Sequence, residues 1–228
     1  MSFLPYGPWV LLAVLVLVYW SLDRCYPVAL ARFEENVLAA ILAIITLVAF
    51  TQVIARYGFN SGWSGALEFQ RILFAWMILF GMSYGVRSGT HLGVDAFIHL
   101  FPKPLFRAAA VFGAAACIVY AAILLGAGWL KLFGADTKGG AVLYWSTIFK
   151  IHAGLDEMKW PQFMVEAFGL RERLPRWSAY IMLPAGLALF AFRSLQALVQ
   201  IVRGEREMMI ASHEAEDLVA ENKDVLKD

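Results

Sequence analysis

"NVLAAILAIITLVAFTQVIA", residues 36 to 55, runs for twenty residues without a charge. An α-helix of that length covers the ~30 Å of hydrocarbon in a bilayer, and a soluble domain has little use for such a run. Glu34 and Glu35 precede it, and Arg56 and Tyr57 follow it, so the segment reads as a membrane span with polar flanks. Composition agrees along the whole chain. Apolar residues make up 61% of 228, charged residues 16%, and the mean hydropathy is +0.65. Soluble domains carry roughly a quarter of charged residues. The net charge of +1 and the scattered lysines and arginines give no footprint for a polyanion, which excludes nucleic acid as a partner. Cys25 and Cys117 stand far apart and form neither a disulfide framework nor a thiol metal site.

Three further stretches pass the same length test: 67–86, 105–132 and 178–202. "YGFNSGWSG" at 57–65 reads as a short loop between the first two, and Pro184 with Gly186 predicts a kink or loosening early in the last. An N-terminal stretch, 3–22, has no charge, but Pro5 and Pro8 shorten its clean helical part, so it either spans or lies in the interface. A cleavable signal competes, because "ALA" at 29–31 resembles a cleavage site, yet no basic leader precedes the apolar run. Between the third and fourth spans, residues 133–177 mix Trp, Tyr and Phe with charges, as helices at headgroup level do. From Gly204 onward the chain is charged and helix-prone. The expected fold is therefore an all-α integral membrane protein. It has four core transmembrane helices, an extra N-terminal hydrophobic helix (1–32), interfacial amphipathic helices inserted at 133–177 of a 33–203 membrane domain, and a polar helical tail (204–228).

Lysine and arginine counts on the two sides of the four spans are equal, 9 against 9, so charge does not fix the orientation. Few charges fall inside the spans. Glu68 and Arg71, three apart, are placed to neutralise one another near the headgroups or to contact another subunit. Arg193 is expected to snorkel toward the side that holds Arg203. A self-sufficient carrier or channel would need more midplane polar groups, and a haem-bearing respiratory anchor would need facing histidines; His91, His99, His152 and His213 all fall outside the span centres. His91, Asp95 and His99 could share a helical face, but the outer two would be about 12 Å apart, too far for one ion. Asp95 is better placed to cap a short interfacial helix, "DAFIHLF".

"GMSYGVRSGTHLGVD" at 81–95 spaces glycines four apart. Gly81 and Gly85 make a small-residue pair on which a second helix can settle closely, either from another subunit or from "AAAVFGAAAC" at 108–117 of the same chain. Gly89 and Gly93 belong to the helix end and turn.

"FEENVLAAIL", "VIARYGFN", "ALEFQR" with Trp76 behind it, "GVRSGTHLGVD", "LFPKP" and "LPRWSAYIMLPAGLALFAFRSLQAL" occur in this order over 33–201. In order and spacing they resemble the small membrane subunit of tripartite ATP-independent periplasmic (TRAP) transporters, the DctQ type. The resemblance implies a multi-pass protein of the bacterial inner membrane with both ends of its four-helix core, and the C-terminal tail, in the cytoplasm. It implies a stable complex with a large membrane subunit of the sodium-coupled elevator type, which would itself bind sodium. It also implies transient contact with a periplasmic substrate-binding protein, contact with membrane lipids, and organic acid anions, C4-dicarboxylates first, as substrate. The small subunit would be a non-catalytic scaffold with no cofactor, metal or catalytic residue of its own. Carried over by position, Arg56 and Tyr57 close the first span, Glu68 opens the second, and Arg87, Gly89, His91 and Asp95 form its exit. With Arg71, Trp76, Gly81 and Gly85 these are the candidate structural or subunit-interface residues. Two departures stand out: the N-terminal helix is additional, and 133–177 exceeds the usual short connection.

Overall fold

The computed structural model describes residues 6–88, 103–160, 162–169 and 171–205. Gly89, His91, Gly93, Asp95, the expected "DAFIHLF" helix, His99, His213 and the tail beyond Glu205 lie outside the described residues.

Five described helices are long and apolar enough to cross a membrane. Helix α1 (Gly7–Cys25) starts with proline in its first turn, where no intrahelical N–H is required, and ends at Tyr26. Pro27 then opens α2 (Pro27–Gly58), whose 32 residues extend about 48 Å, well beyond the hydrocarbon thickness. The loop 59–65 reverses the chain: Asn60 takes a positive φ of 46°, and the Gln52 amide both donates to Trp63 O (3.0 Å) and accepts from Trp63 N–H (3.1 Å). Helix α3 (Ala66–Ser88) runs back antiparallel to α2.

Helix α4 (Lys103–Leu125) is shorter than the expected 105–132 span. The chain leaves α4 at Gly126, runs through a 3-10 helix (Ala127–Phe133), and returns so that Gly139 O accepts from Ala127 N–H at 3.1 Å. Gly140 closes this excursion at φ +119°, where a Cβ would sit 2.5 Å from Gly126 Cα. No other residue fits there, and this backbone contact explains why the apolar run 126–132 does not continue the span.

Residues 133–177 depart from a purely interfacial reading. "AVLYWSTIF" does form a helix, α5 (Ala141–Ile151), but its Val142, Trp145 and Ile148 are buried against the bundle. Beyond His152, which ends α5 in the left-handed region, β1 (Gly154–Lys159) pairs antiparallel with β2 (Arg173–Pro175) around the short α6 (Gln162–Phe168). The hairpin closes through Trp160 N–H to Glu172 O and Arg176 N–H to Ala153 O, both at 2.8 Å.

Helices α7 (Arg176–Tyr180) and α8 (Met182–Arg203) form one path interrupted at Ile181. The interruption is the loosening expected from Pro184, which has no N–H to return to the preceding turn. Helix α8 is the axis of the bundle, and eleven of its residues are buried. It packs on α3 through Val86, Phe190 and Ala197, joined by Ala121 of α4, and on α4 through Ala110, Ala114 and Ile201. Leu12 of α1 meets Val142 and Ala188. Helices α1, α3 and α8 run one way and α2 and α4 the other. The start of α1, the 59–65 loop and the β-hairpin therefore share one end of the bundle, and the ends of α1, α3 and α8 share the other.

Candidate functional site

At the end where α8 finishes, four helices each contribute charge to one cluster. Arg193 of α8 is 5% exposed and donates from Nη1 to Asp23 Oδ2 (2.7 Å) and Gln196 Oε1 (2.7 Å). Its Nη2 donates to the Tyr19 hydroxyl (2.9 Å) and reaches Glu34 Oε1 at 3.5 Å. The guanidinium also lies over the Tyr19 ring, 4.8 Å from its centroid. Arg87 of α3 donates to Glu34 Oε2 (2.8 Å), to Pro27 O, and pairs with Asp23 at 3.3 Å. Two carboxylates thus face two guanidiniums and the cluster is neutral. A single Asp or Arg in the middle of a span costs ~2.5–3.5 kcal/mol on insertion scales, so mutual pairing is what lets these charges lie inside the bundle.

Arg193 does reach toward the end that holds Arg203, as expected, but it finishes on partners within the bundle rather than in interfacial water. Its partners come from α1 and α2, and together they tie the N-terminal helix into the bundle. Sequence reasoning passed over Asp23 and Glu34. The available signal was Arg193 deep in an apolar stretch with acids, Asp23 and Glu34, beside two others, since charges in such positions seek one another.

The opposite end is built on Glu68. Its carboxylate does not pair with Arg71; it accepts three backbone N–H groups of β1, from Asp156 (3.0 Å), Glu157 (2.8 Å) and Met158 (2.9 Å). Successive strand N–H groups gathered on one anion form a charge-assisted set that outcompetes an arginine pointing along the helix surface. Nearby, Trp76 Nε1 donates to Ala179 O (2.7 Å) and Trp145 Nε1 to Trp177 O (3.0 Å), so two indoles anchor α7. Arg176 Nη2 donates to Asp156 Oδ1 at 2.9 Å and joins the hairpin to the same helix. On the hairpin's outer face, Glu172 accepts from Lys159 Nζ (2.7 Å), and that hydrogen bond and positive charge hold its carboxyl below the usual carboxylate range.

Of the remaining candidates, Gly85 is buried within the chain, and a Cβ at Gly81 would only reach ordinary contact with Leu38 of α2 (3.7 Å). A much tighter helix–helix approach lies at Gly186 of α8, where a Cβ would come within 2.8 Å of Leu79 Cβ and 3.2 Å of its carbonyl. Arg56, Tyr57 and Arg71 are exposed and join neither cluster. The structure thus brings Arg87 to one end of the bundle and Glu68 with Trp76 to the other. Among the described residues both polar sites are occupied by the chain's own groups, so their chemistry is that of holding helices together.

Residues 45–204 match the family described as "Tripartite ATP-independent periplasmic transporters, DctQ component". The chain is 36% identical over 192 residues to a protein of Vibrio cholerae named C4-dicarboxylate TRAP transporter small permease protein DctQ, covering 81% of this chain and 77% of that one. It is 29% identical over 216 residues to the protein of the same name from Pseudomonas aeruginosa, covering 82% and 90%. A third, from Rhodobacter capsulatus, is 26% identical over 206 residues and 76% of this chain. No solved structure matches. A bundle of long apolar helices, together with a family match over most of its length, leads to one assignment: the chain belongs to the DctQ family of small membrane components of TRAP transporters.

Proposed function

We propose that this chain is the non-catalytic scaffold of a sodium-coupled, binding-protein-dependent transporter for organic acid anions, with C4-dicarboxylates as the first candidates. In this reading it holds the stationary part of a large elevator-type subunit, which carries the sodium and substrate sites. The observation that carries the reading is the contrast between a bundle core whose charges are paired internally and the outer face of α2, where Leu42, Leu47, Phe50 and Val53 are all more than half exposed. A carrier working alone would keep polar groups open to a path across the bundle, whereas a scaffold needs an apolar flank for its partner. The names of the relatives from V. cholerae, P. aeruginosa and R. capsulatus support the substrate class.

The chain would lie in the bacterial inner membrane with the Arg203 end and the tail in the cytoplasm. The hairpin end would then be periplasmic, where residues 133–177 cap the large subunit or meet the binding protein. Arg56, Tyr57 and Arg71, exposed on this chain, would face the large subunit. Glu68, Trp76, Gly81, Gly85 and Arg87 would shape the surface it docks on.

Purification of the tagged chain from native membranes in mild detergent, with proteoliposome uptake measured with and without co-purifying proteins, tests this. A stoichiometric large membrane partner is expected, with sodium-dependent uptake that needs both chains. Solute uptake by this chain alone would overturn the scaffold reading. Normal assembly and uptake after 138–172 is replaced by a short linker would overturn the role given to that segment.

A further inference from the structure

A cavity of about 490 Å³ opens beside the β-hairpin, bounded by His152, Trp160, Arg171, Glu172, Arg173 and Trp177. Its charge is unbalanced. Two arginines line it against one carboxylate, Glu172, which feels the charge of Arg173 but makes its hydrogen bond to Lys159, a residue outside the cavity lining. Arg171 spends one N–H on His152 O (3.2 Å), while Arg173 packs over Gly154, where a Cβ would lie 2.7 Å from Arg173 Cβ. Among the described residues no carboxylate lies within ion-pair distance of either guanidinium. Two arginine forks, an imidazole and two indoles around a space of this size have the chemistry of a phosphate site, because guanidinium N–H groups match phosphate oxygens in pairs.

The surroundings indicate where the phosphate comes from. Ile151, at the end of α5, is 68% exposed, and Phe168, at the end of α6, is 71% exposed. At the same end of the bundle the 3-10 helix leaves Leu132 and Phe133 exposed at 86% and 78%. Large apolar side chains left bare beside tryptophan and arginine belong at the level of lipid headgroups rather than in open water. We propose that this cavity binds the phosphodiester headgroup of an anionic phospholipid, with Arg171 and Arg173 on the phosphate oxygens and Trp160 and Trp177 as the aromatic walls. Gly154 would matter to the site because it lets Arg173 lie flat against β1. The proposal rests on the hairpin end meeting the membrane surface and is independent of which solute the transporter moves.

The test is lipid titration of the delipidated full chain, with its co-purifying partners retained, followed by mass spectrometry of the intact assembly. Short-chain phosphatidylglycerol and phosphatidylcholine are the probes. Phosphatidylglycerol is expected to bind about tenfold more tightly, because both lipids offer the same phosphodiester but only phosphatidylcholine brings an ammonium that the two guanidiniums repel. Arg171→Gln with Arg173→Gln should abolish that preference without lowering the unfolding temperature. Should this double variant fail to fold, Arg171→Lys with Arg173→Lys keeps the charge but loses the paired geometry, and a reduced preference is expected. Equal binding of the two lipids by the unsubstituted chain, or an undiminished preference in the variants, overturns the site. Displacement of phosphatidylglycerol by inorganic phosphate at equal concentration overturns the lipid assignment in favour of a soluble anion.

Discussion

The two ends of this bundle solve the same problem with different materials. At the α8 end, side chains from four helices neutralise one another: Asp23, Glu34, Arg87 and Arg193, with Tyr19 and Gln196 completing the set. At the hairpin end a single carboxylate, Glu68, is satisfied by backbone N–H groups, while two indoles donate to backbone carbonyls. The first arrangement is reciprocal, so loss of one member strands the others. In the second, each bond has its own donor and acceptor, and damage should stay local.

Substitutions can break that contrast. The largest effect is expected from Arg193→Ala, which leaves the buried Glu34 and the partly buried Asp23 with one guanidinium between them; removal of one partner from a buried ion pair costs about 3–5 kcal/mol. The unfolding temperature in detergent should fall sharply, and amide exchange along α1 should accelerate as α1 loosens. Unchanged exchange in α1 would mean that the helix is held by its apolar contacts at Leu12 alone. Glu68→Ala comes next, leaving three strand N–H groups without their acceptor, at about 1–3 kcal/mol because water reaches part of this site. Amide exchange at 156–158 should accelerate while the α3 and α8 core stays protected; global loss of protection would erase the distinction between the two ends.

The smallest effect belongs to the Lys159–Glu172 pair on the hairpin's open face. Glu172 has its carboxyl lowered by the Lys159 hydrogen bond and charge. Its contribution is thus present above the ordinary carboxylate range and is lost as pH falls through the lowered value. Lys159→Met should slightly speed exchange in β1 and β2 at neutral pH and change nothing in strong acid. Salt should weaken the difference, since exposed pairs are screened.

How much of this was readable from the chain differs between the same two ends. The apolar run 36–55 and the glycine-rich loop at 57–65 declare themselves locally, by length and by turn chemistry. The charge cluster does not, because Asp23 and Arg193 stand 170 residues apart and each could equally have been an interfacial side chain. Glu68 failed for the opposite reason: Arg71 offered a partner three residues away, and the competing acceptor geometry depended on a strand whose sequence, "GLDEMK", shows no alternation of apolar and polar residues. The third span was drawn too long because hydropathy continues past Leu125. Only the close backbone approach between Gly126 and Gly140 reveals that the chain has turned away.

The odd number of described spans has a practical consequence for anyone attaching reporters to this protein. Gly7, the first residue of α1, lies at the hairpin end and Arg203, the last of α8, at the charge-cluster end. Were all five helices to cross the membrane, reporters fused to the two termini would sit in different compartments. A fluorophore that matures only in the cytoplasm and an enzyme active only in the periplasm would light up at opposite ends of the same chain.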